Sequence, residues 1–248
     1  GADLSSISNG DFAKLFAKAN SAFIESSKWG TLISFAEYET LFASGLVRKI
    51  IREKAPLGKE AELFEALTFW PEKTAVYSEK EDLLSLRPFI GKPSMKAKLQ
   101  QHAKKYGWIA FSYQGPELKP SYFGSELGLL VKSGESFKKL QAMEEKKFKA
   151  RNRAISLLRL SLKNRGVVDS IAEQFFLKAR RKDAEFKLHF ALSFAYLELG
   201  RRFGIPARHA GFMLAPEIIG CLNGDKAPKS ELKKRVKAFA YCWEDGVN

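Results

Sequence analysis

Cysteine, histidine, acid and long apolar runs are all scarce in this 248-residue chain. The only cysteines, Cys221 and Cys242, make neither a disulfide framework nor the close CxxC pairs of a zinc site. They read as small thiols in a reducing compartment, which predicts a cytoplasmic protein. His102, His189 and His209 stand apart from one another with no HExxH, so no metal centre is expected. No run of about eighteen apolar residues occurs, so no membrane span is expected. The opening "GADLSSISNGDFAKLF" lacks the basic-then-apolar pattern of a signal peptide. Phosphate-binding GxxxxGK[ST] and GxGxxG loops are missing, as is a GxSxG elbow. A serine hydroxyl without an identifiable base is no nucleophile. The expectation is therefore a chain without catalytic residues, metal ligands or a cofactor of its own.

Acid is outnumbered by base, 28 residues against 42, for a formal charge of +14. Such an excess suits an anionic partner, whether nucleic acid, a phosphate ester or a membrane surface. The plainer account is a set of long helices with solvated lysine-rich outer faces.

What the chain has in abundance is phenylalanine at helical spacing. With 45% apolar residues and twenty Phe, it can bury a substantial core. Phe12, Leu15, Phe16, Ala19 and Phe23 recur at steps of three and four, predicting a helix over 11–27. The same reasoning predicts helices over 35–54, 59–69, 94–106 and 120–132. Ser78 with Glu81 resembles a capping box that opens a further helix, closed by Pro88. Two long helices follow, about 135–166 and 168–203. Gly166 is expected at the end of the first, and Ser170 with Glu173 at the start of the second. The short joint "GVVD" makes them an antiparallel hairpin. Short helices at "APEIIGCLNGD" and 229–243 complete the tail. The predicted class is all-α: a long helical hairpin with shorter helices packed on it, divided into an N-terminal helical part (3–134) and the hairpin with its tail (135–248).

Two stretches break the periodic pattern. In "KARRKDAE" the long helix places Arg180, Arg181, Lys182, Asp183 and Glu185 at its centre, between apolar stretches that begin at Phe175 and resume at Phe186. Arg181 and Glu185 are an i,i+4 pair. If buried, such charges need partners, so the stretch reads either as a solvated patch or as the polar floor of a cleft. The second is the aromatic connection over 106–123, "YGWIAFSYQGPELKPSYF", with a short extended piece expected at "WIAFSY". Trp108, Tyr113 and Tyr122 there suit an apolar organic ligand, or simply pin an irregular segment to the core.

Around "ELGRRFGIPARHAGFMLAPEIIGCLNG" the chain resembles the helical segment of phosphoenolpyruvate-utilising enzymes related to phosphoenolpyruvate synthase and rifampin phosphotransferase. The matching residues are 198–202, Gly204-Ile205-Pro206, Phe212-Met213-Leu214, Glu217-Ile218 and 222–224. The likeness covers about residues 140–243. It implies partnership with an ATP-grasp domain and a swivelling phosphohistidine domain, with the helical domain binding a small organic acceptor. Neither partner domain has its motifs here, so the resemblance implies a non-catalytic acceptor-binding or scaffold domain, a middle piece of a phosphotransferase. Arg180, Arg181 and Lys182, with Arg151 or Arg159 from the opposite helix, would then line the polar side of a cleft walled by Trp108, Tyr113 and Tyr122. The alternative is a basic helical module that binds nucleic acid.

Overall fold

A computed structural model describes residues 4–112 and 115–238. Helix accounts for the regular structure, and no strand occurs among the described residues. The elements are α1 (Asn9–Lys54), α2 (Glu60–Thr68), α3 (Ala75–Ser85), α4 (Met95–Tyr106), α5 (Pro120–Lys132), α6 (Phe137–Leu157), α7 (Leu162–Phe203), α8 (Ala207–Ala210), α9 (Ala215–Leu222) and α10 (Lys229–Arg235). The all-α class and the long hairpin of α6 and α7 are thus present, with several boundaries moved.

The helices expected over 11–27 and 35–54 are one. Ser8 caps α1, its hydroxyl accepting from the Asp11 amide at 3.1 Å, and the helix then runs through Gly30 to Lys54. A glycine within a helix costs only about 1 kcal/mol, and no proline intervenes to break the ladder. Helix α3 starts at Ala75, because Thr74 accepts from the Tyr77 amide at 3.3 Å. Ser78, expected as its cap, lies inside it. The extended piece expected at "WIAFSY" is replaced by turns, closed by the Leu118 amide donating to the Gly107 carbonyl at 2.9 Å. Tyr113 lies outside the described residues, as does the expected continuation of the last helix past residue 238.

The hairpin turns earlier than Gly166. Helix α6 ends at Leu157, and Arg159 takes a left-handed backbone with φ 43°. The amides of Arg159 and Leu160 bond back to the carbonyls of Ser156 and Ile155. This satisfies the last orphan carbonyls in the manner of a Schellman closure, with arginine where glycine is usual. Lys54 Nζ donates to the Arg159 carbonyl at 3.3 Å. Ser161 then accepts from the Asn164 amide at 3.3 Å, one turn into α7. Gly166 and Ser170 lie inside α7.

The chain parts into two compact units, Gly1–Lys28 with Phe190–Asn248, and Trp29–His189. This is not the expected division at 134/135. Each of the two longest helices contributes one stretch to each unit, so a cut along the sequence cannot separate them.

In the first unit, Phe12 and Phe16 of α1 bury against Leu199 of α7, Ile218 and Leu222 of α9 and Leu232 of α10. The motif "ELGRRFG" organises this unit's helix end. Glu198 accepts from Arg201 at 2.6 and 2.8 Å and from Arg202 at 2.7 Å. Arg202 also donates to the carbonyls of Leu4 and Ile7 and to Asn9 Oδ1, and its guanidinium lies 4.8 Å from the Phe12 ring centre. One partly buried side chain therefore ties the start of α1 to the end of α7. A side chain on Gly200 would come within 2.8 Å of the Ile205 carbonyl, and Gly204 has φ +61°. The two glycines let the chain fold back tightly under α7.

In the second unit, Val47, Ile50 and Ile51 of α1 pack with Leu63 and Leu67 of α2, Ala154 and Leu158, and Val168 and Ile171 of α7. A separate cluster joins Leu83 of α3, Ala103 and Tyr106 of α4, and Phe123 and Leu127 of α5.

Candidate functional site

Within the second unit, α3, α6, α7 and the segment 68–74 enclose a groove of about 530 Å³. Its formation begins with the proline in "FWPEK". Helix α2 stops at Thr68, since a residue before proline avoids the helical region. The chain then turns over the α6–α7 seam. The register of that seam is antiparallel: Arg151 of α6 meets Asp169 of α7, while Leu140 and Met143 share the groove with Phe176 and Ala179.

One wall of the groove is aromatic. Trp70 and Phe176 stack with ring centres 6.4 Å apart and planes 28° from parallel, and Phe69 and Phe175 also line the groove. The adjacent pair Phe175-Phe176 diverges by about 100° around the helix, so the two rings cannot point the same way. The opposite side is polar. The Tyr77 hydroxyl is shared between Glu144 Oε2 at 3.0 Å and the Leu140 carbonyl at 3.2 Å. Lys73 Nζ sits 2.9 Å from both oxygens of Glu81 and 3.8 Å from Glu144. Burial, reinforced by the Glu144 carboxylate, pushes the Tyr77 phenol far up, so it stays a neutral donor. The Glu81 hydrogen bonds hold the Lys73 ammonium above its ordinary range. Lys80, one turn beyond Tyr77, and Lys147, one turn beyond Glu144, complete the lining. Neither has an ion pair among the described residues.

The residues singled out in the sequence occupy other places. Arg151 is 6% exposed and donates to the carbonyls of Leu67 and Phe69, the latter at 2.8 Å, and to Asp169 at 2.5 Å. It caps the negative end of α2, satisfying carbonyls that the helix leaves free. Arg159 is exposed at the hairpin turn. Asp169 and Arg180 are eleven residues apart on α7, about 16 Å along its axis, so Arg151 does not converge with the charged insertion. Arg181 pairs with Glu185 at 3.0 Å, Lys182 is exposed, and Arg180 is exposed with its guanidinium 5.6 Å from the Phe176 ring centre. Asp183 serves another helix, accepting from the Ala75 amide at 3.0 Å, at the positive end of α3. Trp108 is buried, its indole donating to the Lys105 carbonyl at 2.8 Å, so it pins the aromatic connection to α4. Tyr122 is 48% exposed and packs edge-on to Phe123 at 5.4 Å. None of these lines the groove, though Arg180 borders it through Phe176.

The groove residues left unmarked by sequence reading are Trp70, Lys73, Tyr77, Lys80 and Lys147. A signal was present in "FWPEK", where two aromatics precede a proline outside any helical stripe, and in the doublet Phe175-Phe176. No group of three or more His, Cys, Asp or Glu lies close enough to hold a metal among the described residues, and none of their helices is long and apolar enough to cross a membrane. Comparison of the chain with protein-family models, curated proteins and solved structures found no match.

Proposed function

We propose that the second unit is a ligand-binding unit whose groove takes a small amphipathic organic molecule. The carrying observation is the pairing of an aromatic wall, Trp70 on Phe176, with a hydrogen-bonded polar side, Tyr77, Glu144 and Lys73, around one cavity. About 530 Å³ falls within the usual range for small-molecule sites, and mostly apolar walls with a few placed polar groups are their common chemistry. The sequence resemblance in 140–243 supports placing this binding in a phosphotransferase related to phosphoenolpyruvate synthase, with the groove holding the acceptor and the chemistry supplied by partner domains. Naphthalene-based probes should bind the purified chain by calorimetry, and Phe176→Ala with Trp70→Ala should weaken them roughly ten-fold or more, the scale of a lost aromatic contact. Unchanged affinity in that double variant would sink the assignment. Incubation with ATP or phosphoenolpyruvate should leave the isolated chain unphosphorylated.

A second reading, nucleic-acid binding, draws on a wider open cleft between α2 and α6 whose lining includes Lys59, Lys146, Lys149 and Arg153. No aromatic side chain lines that cleft, so it offers phosphates a basic rim but bases no stacking platform. Phosphate-backbone binding there would fall steeply with salt, and an oligonucleotide titration at two ionic strengths tests it.

A further inference from the structure

We infer that the groove selects an anionic ligand, an aromatic or alicyclic carboxylate or phosphate ester, whose acidic group is taken by Lys80 and Lys147. This rests on the groove reading above and adds the sign of the ligand's charge.

The argument is a census of the charges that line the cavity. Three are cations, Lys73, Lys80 and Lys147, and two are carboxylates, Glu72 and Glu144; Glu81, clamped on Lys73, brings a third carboxylate beside the lining. Lys73 and Glu144 are already committed. The ammonium is clamped by both oxygens of Glu81, and the Glu144 carboxylate holds the Tyr77 hydroxyl and lies within 3.8 Å of Lys73. Neither is a spare charge for a ligand. Glu72 accepts from the Trp70 indole at 3.4 Å, on the aromatic side.

Lys80 and Lys147 remain, one on α3 and one on α6. Lys80 follows Val76 and Tyr77 by four and three residues, and Lys147 follows Met143 and Glu144 by the same steps. Helical spacing therefore puts both lysines on the groove-lining faces of their helices. Arg180 adds a third cation beside the aromatic wall, at Phe176. A neutral ligand offers the two lysine ammoniums only neutral acceptors, whereas an anion exchanges their water for charge-assisted hydrogen bonds. The aromatic wall fixes the body of the same molecule, while the lysines of α3 and α6 take its charge.

The test compares 2-naphthoate with its neutral isostere 2-naphthamide, on the whole chain, by calorimetry at pH 7. Naphthoate should bind roughly ten-fold more tightly than naphthamide, the scale of one good charge-assisted contact. The double variant Lys80→Met/Lys147→Met should bring the two within about two-fold; raising salt from about 0.05 to about 0.5 M should narrow the gap in the parent chain. Equal binding of the two probes by the parent chain would overturn the charge assignment and leave the groove reading standing. So would a preference that survives in the double variant. If neither probe binds, the groove reading fails and the inference with it. Both lysines lie outside the buried core, and a circular-dichroism spectrum matching the parent's confirms that the variant is folded.

Discussion

The two units use the same residue types for different ends. In the first, the charges that fasten the helix ends are closed on one another: Glu198 holds Arg201 and Arg202, Arg202 also donates to Leu4, Ile7 and Asn9, and Glu217 is gripped by Arg235 through two contacts at 2.8 and 2.9 Å. In the second, Arg151 is consumed in the same way at the end of α2, yet Lys80 and Lys147 stay without an ion pair among the described residues, around a cavity. Buried charge in both units fastens helix ends. Lys226 and Lys229 border a cavity in the first unit too, but its lining holds one aromatic, Phe203, and no stacked pair like Trp70 on Phe176. A net charge of +14 does not reveal which lysines border a cavity.

The largest effects should come from the two arginines that tie helix ends together, one buried and one partly buried. Arg202→Met and Arg151→Met should each cost about 3 kcal/mol or more, because carbonyls and a carboxylate lose a shared donor. Amide exchange should rise over 4–16 for the first variant and over α2 for the second. An Arg151→Met chain as stable as the parent in urea would break the parallel between the units.

Acid sharpens the contrast next. Hydrogen bonds from Arg201 and then Arg202 pull the Glu198 carboxyl down from 4.5 to about 2. Its folded value lies below its unfolded one, so its stabilisation is complete above about pH 4.5 and drains away as pH falls towards 2. Exchange over 4–16 should accelerate in that window, and Glu198→Gln should flatten the response. If the parent's acid response persisted in that variant, the clasp would not be its source.

A smaller effect is expected from Asp183→Ala, which uncovers one amide at the start of α3 and should cost about 1 kcal/mol, the usual scale of a helix cap. Lys80→Met and Lys147→Met should shift stability least, within about 0.5 kcal/mol each, though they change what the groove binds. A large loss of stability in either lysine variant would mean that the charge is structural and not held in reserve.

Much of the helical content is legible in local spacing. The stripe of Phe12 and Phe16, the Pro120 start of α5 and the Arg181–Glu185 pair each follow from contacts within one or two turns. The hairpin joint was not legible, because Arg159 adopts the left-handed turn that glycine would be expected to provide, with its carbonyl held by Lys54 from 105 residues away. The site was the least legible part. The insertion "RRKD" reads as either a solvated patch or a cleft floor, but its aspartate serves α3, a partner 108 residues distant. Arg151, expected at a ligand cleft, instead serves the end of α2, while Trp70, just past the helix expected over 59–69, lines the groove.

The amino-acid sequence alone determined that this chain is helical and where most helices lie, since helix periodicity and caps depend on neighbours three or four residues away. The tertiary structure decided which charges are consumed and which face a cavity. A charged side chain's fate depends on the acceptors that distant segments bring within about 3 Å of it, and no local pattern records that distance.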